Sequence, residues 1–251
     1  MDNINQVRKI NDQFKKNVNK NLKTNTFCPF RYEKQMDYLF PLIIESVKKY
    51  KNNYHPKILE VACGYGRLVH FINELNLPGE IWGIDYVKKL IDRAKKDFNG
   101  KENIKFKCSN LYDLSKKYNK FFDIIVLYKT LSWLPDYRDA VKEMMAAAKD
   151  KIYITALFYD GDISFEIKIN ELNKKTFSSL NFYSLNEFKL FCKKHGAKKV
   201  VAHEMHVDFD LPKSEDPNIL KTFTIKTADN KRLEVTGTVI LNWKLIEISL
   251  R

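Results

Sequence analysis

The sequence predicts an α/β protein built on a parallel sheet, and three observations carry that expectation. Short apolar stretches alternate with helical periodicity between residues 56 and 158, the pattern of strand–helix–strand crossovers. FDIIVLY (Phe122–Tyr128) is apolar almost throughout, as a strand covered on both faces must be. ILEVACGYGRL (Ile58–Leu68) runs from a strand through small residues towards a helix. Such a turn lets the backbone bend tightly and approach a ligand closely.

The elements follow in order. Met36, Leu39, Phe40, Ile43, Ile44 and Val47 recur at steps of three and four, which predicts an amphipathic helix to about Tyr50. Pro56 punctuates, and KILEVA reads as strand one. A helix spans about Arg67 to Leu75, and EIWGID (Glu80–Asp85) is strand two. A helix over Val87–Phe98 puts Val87, Leu90, Ile91, Ala94 and Phe98 on one face. IKFKC (Ile104–Cys108) is strand three, FDIIVLY strand four, Arg138–Ala148 a helix, and KIYITALF (Lys151–Phe158) strand five. Ser184 followed by Glu187 is a capping box that opens a helix stopping at Gly196. VVAHEMHVDFD (Val200–Asp210) alternates with period two and reads as strand six, and TVILNWKLIEISL (Thr238–Leu250) as the last strand. Two stretches stand outside the alternation. One is 159–183, where Ile163, Phe165, Ile167 and Ile169 share a strand face. The other is 211–237, where TFTIKT and KRLEVT flank a hairpin signal at Ala228-Asp229-Asn230.

Composition bounds the class. The 251 residues are 44% apolar, enough for a real core, and 8 Gly with 7 Pro exclude collagen-like chains. No apolar run approaches the ~20 residues of a spanning helix, and the first twenty residues carry no secretory apolar region. Cys28, Cys63, Cys108 and Cys192 lie far apart without a CxxC pair, which favours free thiols in a reducing cytosol over a disulfide frame or zinc site. A cytoplasmic protein is therefore expected. The net charge is +13, and residues 1–57 hold twelve basic against five acidic side chains. Such an arm can track a phosphate backbone. No RNA-binding signature or aromatic interleaving accompanies it, so a solvated face is the favoured reading and nucleic acid an unfavoured partner. The positive field would also draw a small anionic substrate.

The turn after strand one carries the chemistry. The strand bears an acidic residue, Glu60, and the loop continues through Ala62, Gly64 and Gly66 into a helix whose N-terminus presents free N–H groups. Asp85 ends the next strand, 19 residues after Gly66. A carboxylate there can accept both hydroxyls of a ribose. A dinucleotide fingerprint needs a third glycine, and here Arg67, Leu68 and Val69 follow Gly66. Glu60 would also repel a pyrophosphate and suits an ammonium group.

Glu60, Ala62, Gly64 and Gly66 resemble motif I of the class I S-adenosylmethionine-dependent methyltransferases, with Ala62 in place of the first glycine. GIDYVKKLIDRAKK resembles motif II, KFKCSNLYDL motif III and FDIIVLYKTLSWL motif IV. The resemblance implies that Asp85 takes the ribose, Tyr86 lies against the adenine, Asn110 accepts from the adenine amino group and the Leu111 backbone meets a ring nitrogen. It implies that Tyr128, Lys129, Thr130 and Trp133 lie beside the cofactor. It implies a seven-stranded mixed Rossmann-like sheet in the order 3-2-1-4-5-7-6 with a β-rich substrate cap. S-adenosylmethionine would be the cofactor and S-adenosylhomocysteine its product. The implied organisation is a basic arm and lid helix at 1–55, a cofactor-binding core at 56–158, and a C-terminal half-sheet at 159–251 with cap insertions 159–183 and 211–237. The helix after Pro29 would close over the cofactor, with Phe30 or Tyr32 as lid aromatic.

Both insertions start at the carboxyl ends of strands, where this fold binds ligands, so they are expected to choose the substrate. Alternation in strand six puts Glu204, His206, Asp208 and Asp210 on one face, which makes His206, oriented by Asp208, the candidate base. Lys129 is a candidate for an anionic substrate group. After strand four the chain lacks the Asn/Asp-Pro-Pro-aromatic motif of amino-methylating nucleic-acid enzymes, and the Pro-Cys nucleophile of cytosine-C5 enzymes is absent. The last third, from FYSLNEFKLFCKKHGAKKV to VILNW, is similar to methyltransferases of bacterial surface-polysaccharide pathways, including sugar and capsular phosphoramidate enzymes. The expected reaction is methylation of oxygen or nitrogen on a small polar metabolite of that kind. An RNA methyltransferase using the basic arm and a non-catalytic binding module on the same fold are the rivals.

Overall fold

A computed structural model describes residues 32–51, 53–170, 177–216 and 218–251. Residues 1–31, which hold the first part of the basic arm with Cys28 and Phe30, lie outside the described residues. Helix α1 (Met36–Lys48) leads into β1 (Lys57–Val61), α2 (Arg67–Asn73), β2 (Glu80–Asp85), α3 (Lys88–Asp97) and β3 (Ile104–Cys108). There follow α4 (Leu114–Tyr118), β4 (Phe122–Tyr128), α5 (Arg138–Ala147) and β5 (Ala148–Tyr159). The hairpin β6 (Phe165–Asn170) and β7 (Phe177–Ser184) precedes α6 (Leu185–Lys194) and β8 (Lys199–Glu204). A small sheet of β9 (Thr222–Lys226), β10 (Arg232–Thr236) and β11 (Val239–Ile240) comes before the closing β12 (Trp243–Ser249).

The main sheet runs β3-β2-β1-β4-β5-β12-β8. This is the expected order, with β12 as seventh strand inserted between the fifth and the sixth. β1 to β5 are parallel neighbours, and β12 is antiparallel to both β5 and β8. β7 joins the C-terminal end of β5 in parallel at Phe158↔Tyr183, and β6 pairs antiparallel with β7. Apolar side chains of successive residues go to opposite faces. Ile124, Val126 and Tyr128 pack with α1, α2 and α3, whereas Ile125 and Leu127 pack with α4, α5 and α6. All seven residues of β4 are buried. The helices therefore change face between β1 and β4, and that reversal opens a crevice at the carboxyl ends of these two strands.

Two polar side chains pin the frame. Asp123, buried at the start of β4, accepts from the Lys57 N–H at 2.8 Å and the Tyr54 hydroxyl at 2.6 Å. Ser184 caps α6 as its spacing predicts. Its Oγ accepts from the Glu187 N–H at 3.1 Å and donates to the Gly161 carbonyl at 2.8 Å.

Two strand expectations need correction. β8 stops at Glu204 instead of reaching Asp210, because β12 offers its last partner there, Lys244. Residues 205–210 keep alternating burial without a ladder, so Met205 and Val207 are buried while His206, Asp208 and Asp210 are exposed. The closing stretch is two strands and not one. β11 belongs to the small sheet, and β12 to the main sheet. At the joint, the Leu241 N–H donates to the Glu234 carbonyl at 2.8 Å, and the Asn242 amide donates to the Phe158 carbonyl at 2.9 Å. The hairpin signal at 228–230 is met: β9 and β10 pair antiparallel across it, with Asn230 left-handed at φ +68°. Among the described residues no helix is long and apolar enough to cross a membrane.

Replacing Ser184 with Ala removes a cap and leaves the half-buried Gly161 carbonyl without this partner. Urea denaturation is expected to give a loss of about 1–2 kcal/mol.

Candidate active site

The crevice floor is the loop after β1. Ala62, Gly64 and Gly66 all have positive φ, at +56°, +57° and +89°. Ala62 thus holds the left-handed conformation that a glycine adopts without strain, at a cost of about 1–2 kcal/mol. The loop is tied down by backbone bonds: Cys63 N–H to the Ile84 carbonyl and Gly66 N–H to the Cys63 carbonyl, both 2.9 Å. Its two glycines serve different needs. A Cβ on Gly66 would lie 2.8 Å from the Phe106 ring, so that position is closed by packing. A Cβ on Gly64 would meet no protein atom within 4 Å. Gly64 therefore faces open volume at the mouth of the crevice.

Asp85 joins this loop to the end of β2. One carboxylate oxygen accepts the Gly64 N–H at 2.9 Å, the other the Val87 N–H at 2.8 Å. Each oxygen can accept a further bond. Glu60 is buried under the same loop and accepts the Val69 N–H at 3.2 Å, so it also satisfies the N-terminal turn of α2. Burial pushes its carboxyl well above the ordinary glutamate range, against the opposing pull of Arg67. Burial likewise raises the Cys63 thiol, which makes it a packed residue and not a nucleophile.

Residues 58–151 match the methyltransferase-domain family. A malonyl-[acyl-carrier protein] O-methyltransferase of Bacillus anthracis is 26% identical over 153 residues, covering 58% of this chain and 56% of that protein. The chain spans about half the length of the curated relatives it matches. The YcgJ protein from Bacillus subtilis superposes with a TM-score of 0.51 at 14% identity, over 83% of this chain and 97% of that one. Magnesium protoporphyrin IX methyltransferase from Synechocystis PCC 6803, crystallised with S-adenosylmethionine, gives 0.52 at 11% identity, over 87% and 80%. The fold is that of the class I S-adenosylmethionine-dependent methyltransferases.

The donor set of this methyltransferase fold fits a nucleoside with a zwitterionic tail. Asp85 keeps acceptor capacity that ribose hydroxyls would use, Gly64 leaves room, and Glu60 is a buried carboxyl group that an ammonium group would satisfy. The adenine side is more open. Tyr86 is 76% exposed, Asn110 is exposed and Leu111 half-buried. The Asn110 side-chain oxygen accepts the Tyr112 N–H at 3.1 Å, capping the 3₁₀ helix Leu111–Asp113, so it meets any base with its second lone pair.

Tyr32 lies in the core and not over the crevice with a free face. It is 2% exposed, packs edge-on against Phe71 at 5.2 Å, and donates its hydroxyl to Asp37 at 2.6 Å. His206 is exposed, and its backbone N–H and carbonyl both bond the Tyr38 hydroxyl at 3.0 Å. The expected orienting carboxylate is engaged elsewhere: Asp208 pairs with Lys34 at 3.4 Å, and Asp210 with Arg232 at 2.7 Å.

Sequence reasoning missed the charged cluster above the loop. Glu33, just ahead of α1, bonds Arg67 at 2.7 Å, Lys129 at 2.8 Å and the Tyr128 hydroxyl at 3.0 Å. Burial disfavours its charge, but Lys129 and Arg67 outweigh that and hold its carboxyl below the usual range. The Lys129 ammonium also lies over the Trp243 ring, 4.9 Å from its centroid. Lys129 therefore does not offer a spare charge for an anionic substrate. From the small sheet, Glu234 accepts the Gln35 side-chain N–H at 2.7 Å. Burial raises its carboxyl, with Lys129 opposing and Glu33 adding to the rise. Arg67 was readable as the residue after the last glycine of the turn. Glu33 had no signal, because it stands in a motif-free segment. Further along, a cleft of about 240 Å³ opens between Pro135–Arg138 and the β6–β7 hairpin, walled by the stacked rings of Phe165 and Phe182.

Because the folded-state value of Glu60 lies above its unfolded one, the unfolded chain gains from ionising it first. Its penalty is absent below the ordinary glutamate range and grows as pH rises through it. Glu60→Gln is therefore expected to melt above the native protein at neutral pH, with the gap closing near pH 4, by scanning calorimetry.

Proposed function

We propose that this protein is an S-adenosylmethionine-dependent methyltransferase that methylates an oxygen or nitrogen of a small polar metabolite. The observation that carries the reading is the junction of Gly64 and Asp85 beneath open volume at the β1/β4 reversal. In this reading Asp85 binds the ribose, Gly64 and Gly66 let the backbone approach the donor, and Glu60 faces the donor's ammonium group. Ala62, Tyr86, Asn110, Leu111 and Tyr128 complete the surround, and Tyr32 braces it from the core.

When bound, S-adenosylmethionine supplies an electrophilic methyl group on a sulfonium centre and leaves as the neutral thioether S-adenosylhomocysteine. The protein's task is then to align an acceptor with that methyl carbon, exclude water and remove one proton. We assign the acceptor proton to Glu234 in place of His206. Glu234 shares the field of Lys129 and Glu33 at the end of β4, and its raised carboxyl suits proton uptake. The cleft beside Arg138 and the Phe165–Phe182 pair follows directly on β4 and β5, and we assign it to the remainder of the acceptor. The likeness of the last third to surface-polysaccharide enzymes supports a glycan-pathway acceptor.

Two measurements test this reading. Calorimetric titration with S-adenosylhomocysteine is expected to give binding that Asp85→Ala weakens by about 1–3 kcal/mol, from lost hydrogen bonds to a charged acceptor; equal affinities would remove the ribose assignment. Transfer of a labelled methyl group from S-adenosylmethionine into fractionated small metabolites identifies the acceptor. On that acceptor, Glu234→Gln should lower kcat and abolish the acid limb of the pH profile, whereas His206→Ala should leave both unchanged.

A further inference from the structure

Glu33 has the surroundings of a bound ligand. Two cations and a phenol from two separate places in the chain converge on this one carboxylate: Arg67 from the start of α2, and Lys129 and Tyr128 from the end of β4. It comes from the segment ahead of α1, and it sits where the crevice opens. Glu60, buried beneath the loop, also feels the charge of Arg67. Arg67 therefore stands between two carboxyl groups, paired with Glu33 at 2.7 Å and acting on the buried Glu60 through its field.

An α-amino acid group is an ammonium and a carboxylate on a single carbon. Arg67 and Glu60 are the complementary pair for it: a cation for the carboxylate, and a buried carboxyl group whose ionised form an arriving ammonium would favour. In the structure the cationic half is already matched, by Glu33. Among the described residues the Glu60 half is met by the Val69 N–H and the field of Arg67, and burial still outweighs both. Half of the zwitterion site is thus filled by the chain itself.

We propose that Arg67 and Lys129 form the subsite for the α-carboxylate of the methyl donor, and that Glu33 is a resident carboxylate which the donor must displace. The inference rests on the donor site proposed above and adds a competitor within it. Cofactor entry then exchanges one carboxylate for another on the same cations. The charge of the cluster is kept, and the Glu33 carboxylate gives up its place on the cations as the donor arrives.

The test compares two ligands that share a nucleoside. S-adenosylhomocysteine carries the amino-acid tail; 5′-deoxy-5′-methylthioadenosine has the same thioether without it. Removing the competitor with Glu33→Gln should raise affinity for S-adenosylhomocysteine about tenfold, the worth of one charge-assisted bond, and leave methylthioadenosine unchanged. Arg67→Gln, which keeps Glu33, should weaken S-adenosylhomocysteine by a similar factor, again sparing methylthioadenosine. Calorimetry on the full chain reads both, and far-ultraviolet circular dichroism checks folding of each variant. If Glu33→Gln leaves S-adenosylhomocysteine unchanged or weakens it, Glu33 is not a competitor and the inference falls. Equal loss of both ligands in Arg67→Gln also overturns it, and stands as the deciding result if Glu33→Gln does not fold. Failure of the native protein to bind methylthioadenosine would instead remove the donor site itself.

Discussion

The contact on which the site depends is the pair of backbone bonds to Asp85. Through Gly64 on one oxygen and Val87 on the other, a single buried carboxylate fixes the loop after β1 against the turn after β2. Three positive φ angles in five residues make that loop costly to hold. A charged acceptor answering two N–H groups offsets part of the cost, since such bonds are stronger than neutral ones. The parallel sheet supplies the rest, because β1 is locked between β2 and β4 along its length. The crevice is therefore a property of the frame and not of a mobile loop.

The features most legible in the sequence are those fixed by local chemistry. The strands of the parallel half declare themselves by apolar runs, and the cap of α6 by Ser184 and Glu187, since each depends on neighbours in sequence. The positions of Glu60, Gly64, Gly66 and Asp85 were legible for the same reason: a tight turn and a strand-ending carboxylate leave a fixed spacing. Where β8 ends was not legible. His206 to Asp210 alternate as a strand would, yet the ladder stops because β12 runs out at Trp243. The division at Leu241–Asn242 was hidden similarly, since two apolar strands in tandem look like one. Glu33 and Glu234 stand 201 positions apart in the sequence. Only folding sets both within the field of Lys129.

The net charge of the chain says little about its crevice. Although basic residues outnumber acidic ones by 13, Arg67 and Lys129 are both matched by Glu33 at close range. Long-range attraction of anions and short-range recognition are thus separate matters here. The first follows the surface excess and fades with salt, while the second is set by partly buried pairs that salt screens weakly.

The break between β11 and β12 has a mechanical consequence. β12 is held by seven residue pairs to β5 and six to β8, whereas the small three-stranded sheet attaches to it through two residues. Leu241 and Asn242 therefore act as a joint with a heavy anchor on one side and a light plate on the other. Force applied to the plate by a docking molecule reaches the frame through that joint and through the Glu234–Gln35 and Arg232–Asp210 contacts, not through a shared β ladder. The plate can consequently be reshaped at residues other than Glu234 without touching the ladders that hold the floor around Asp85.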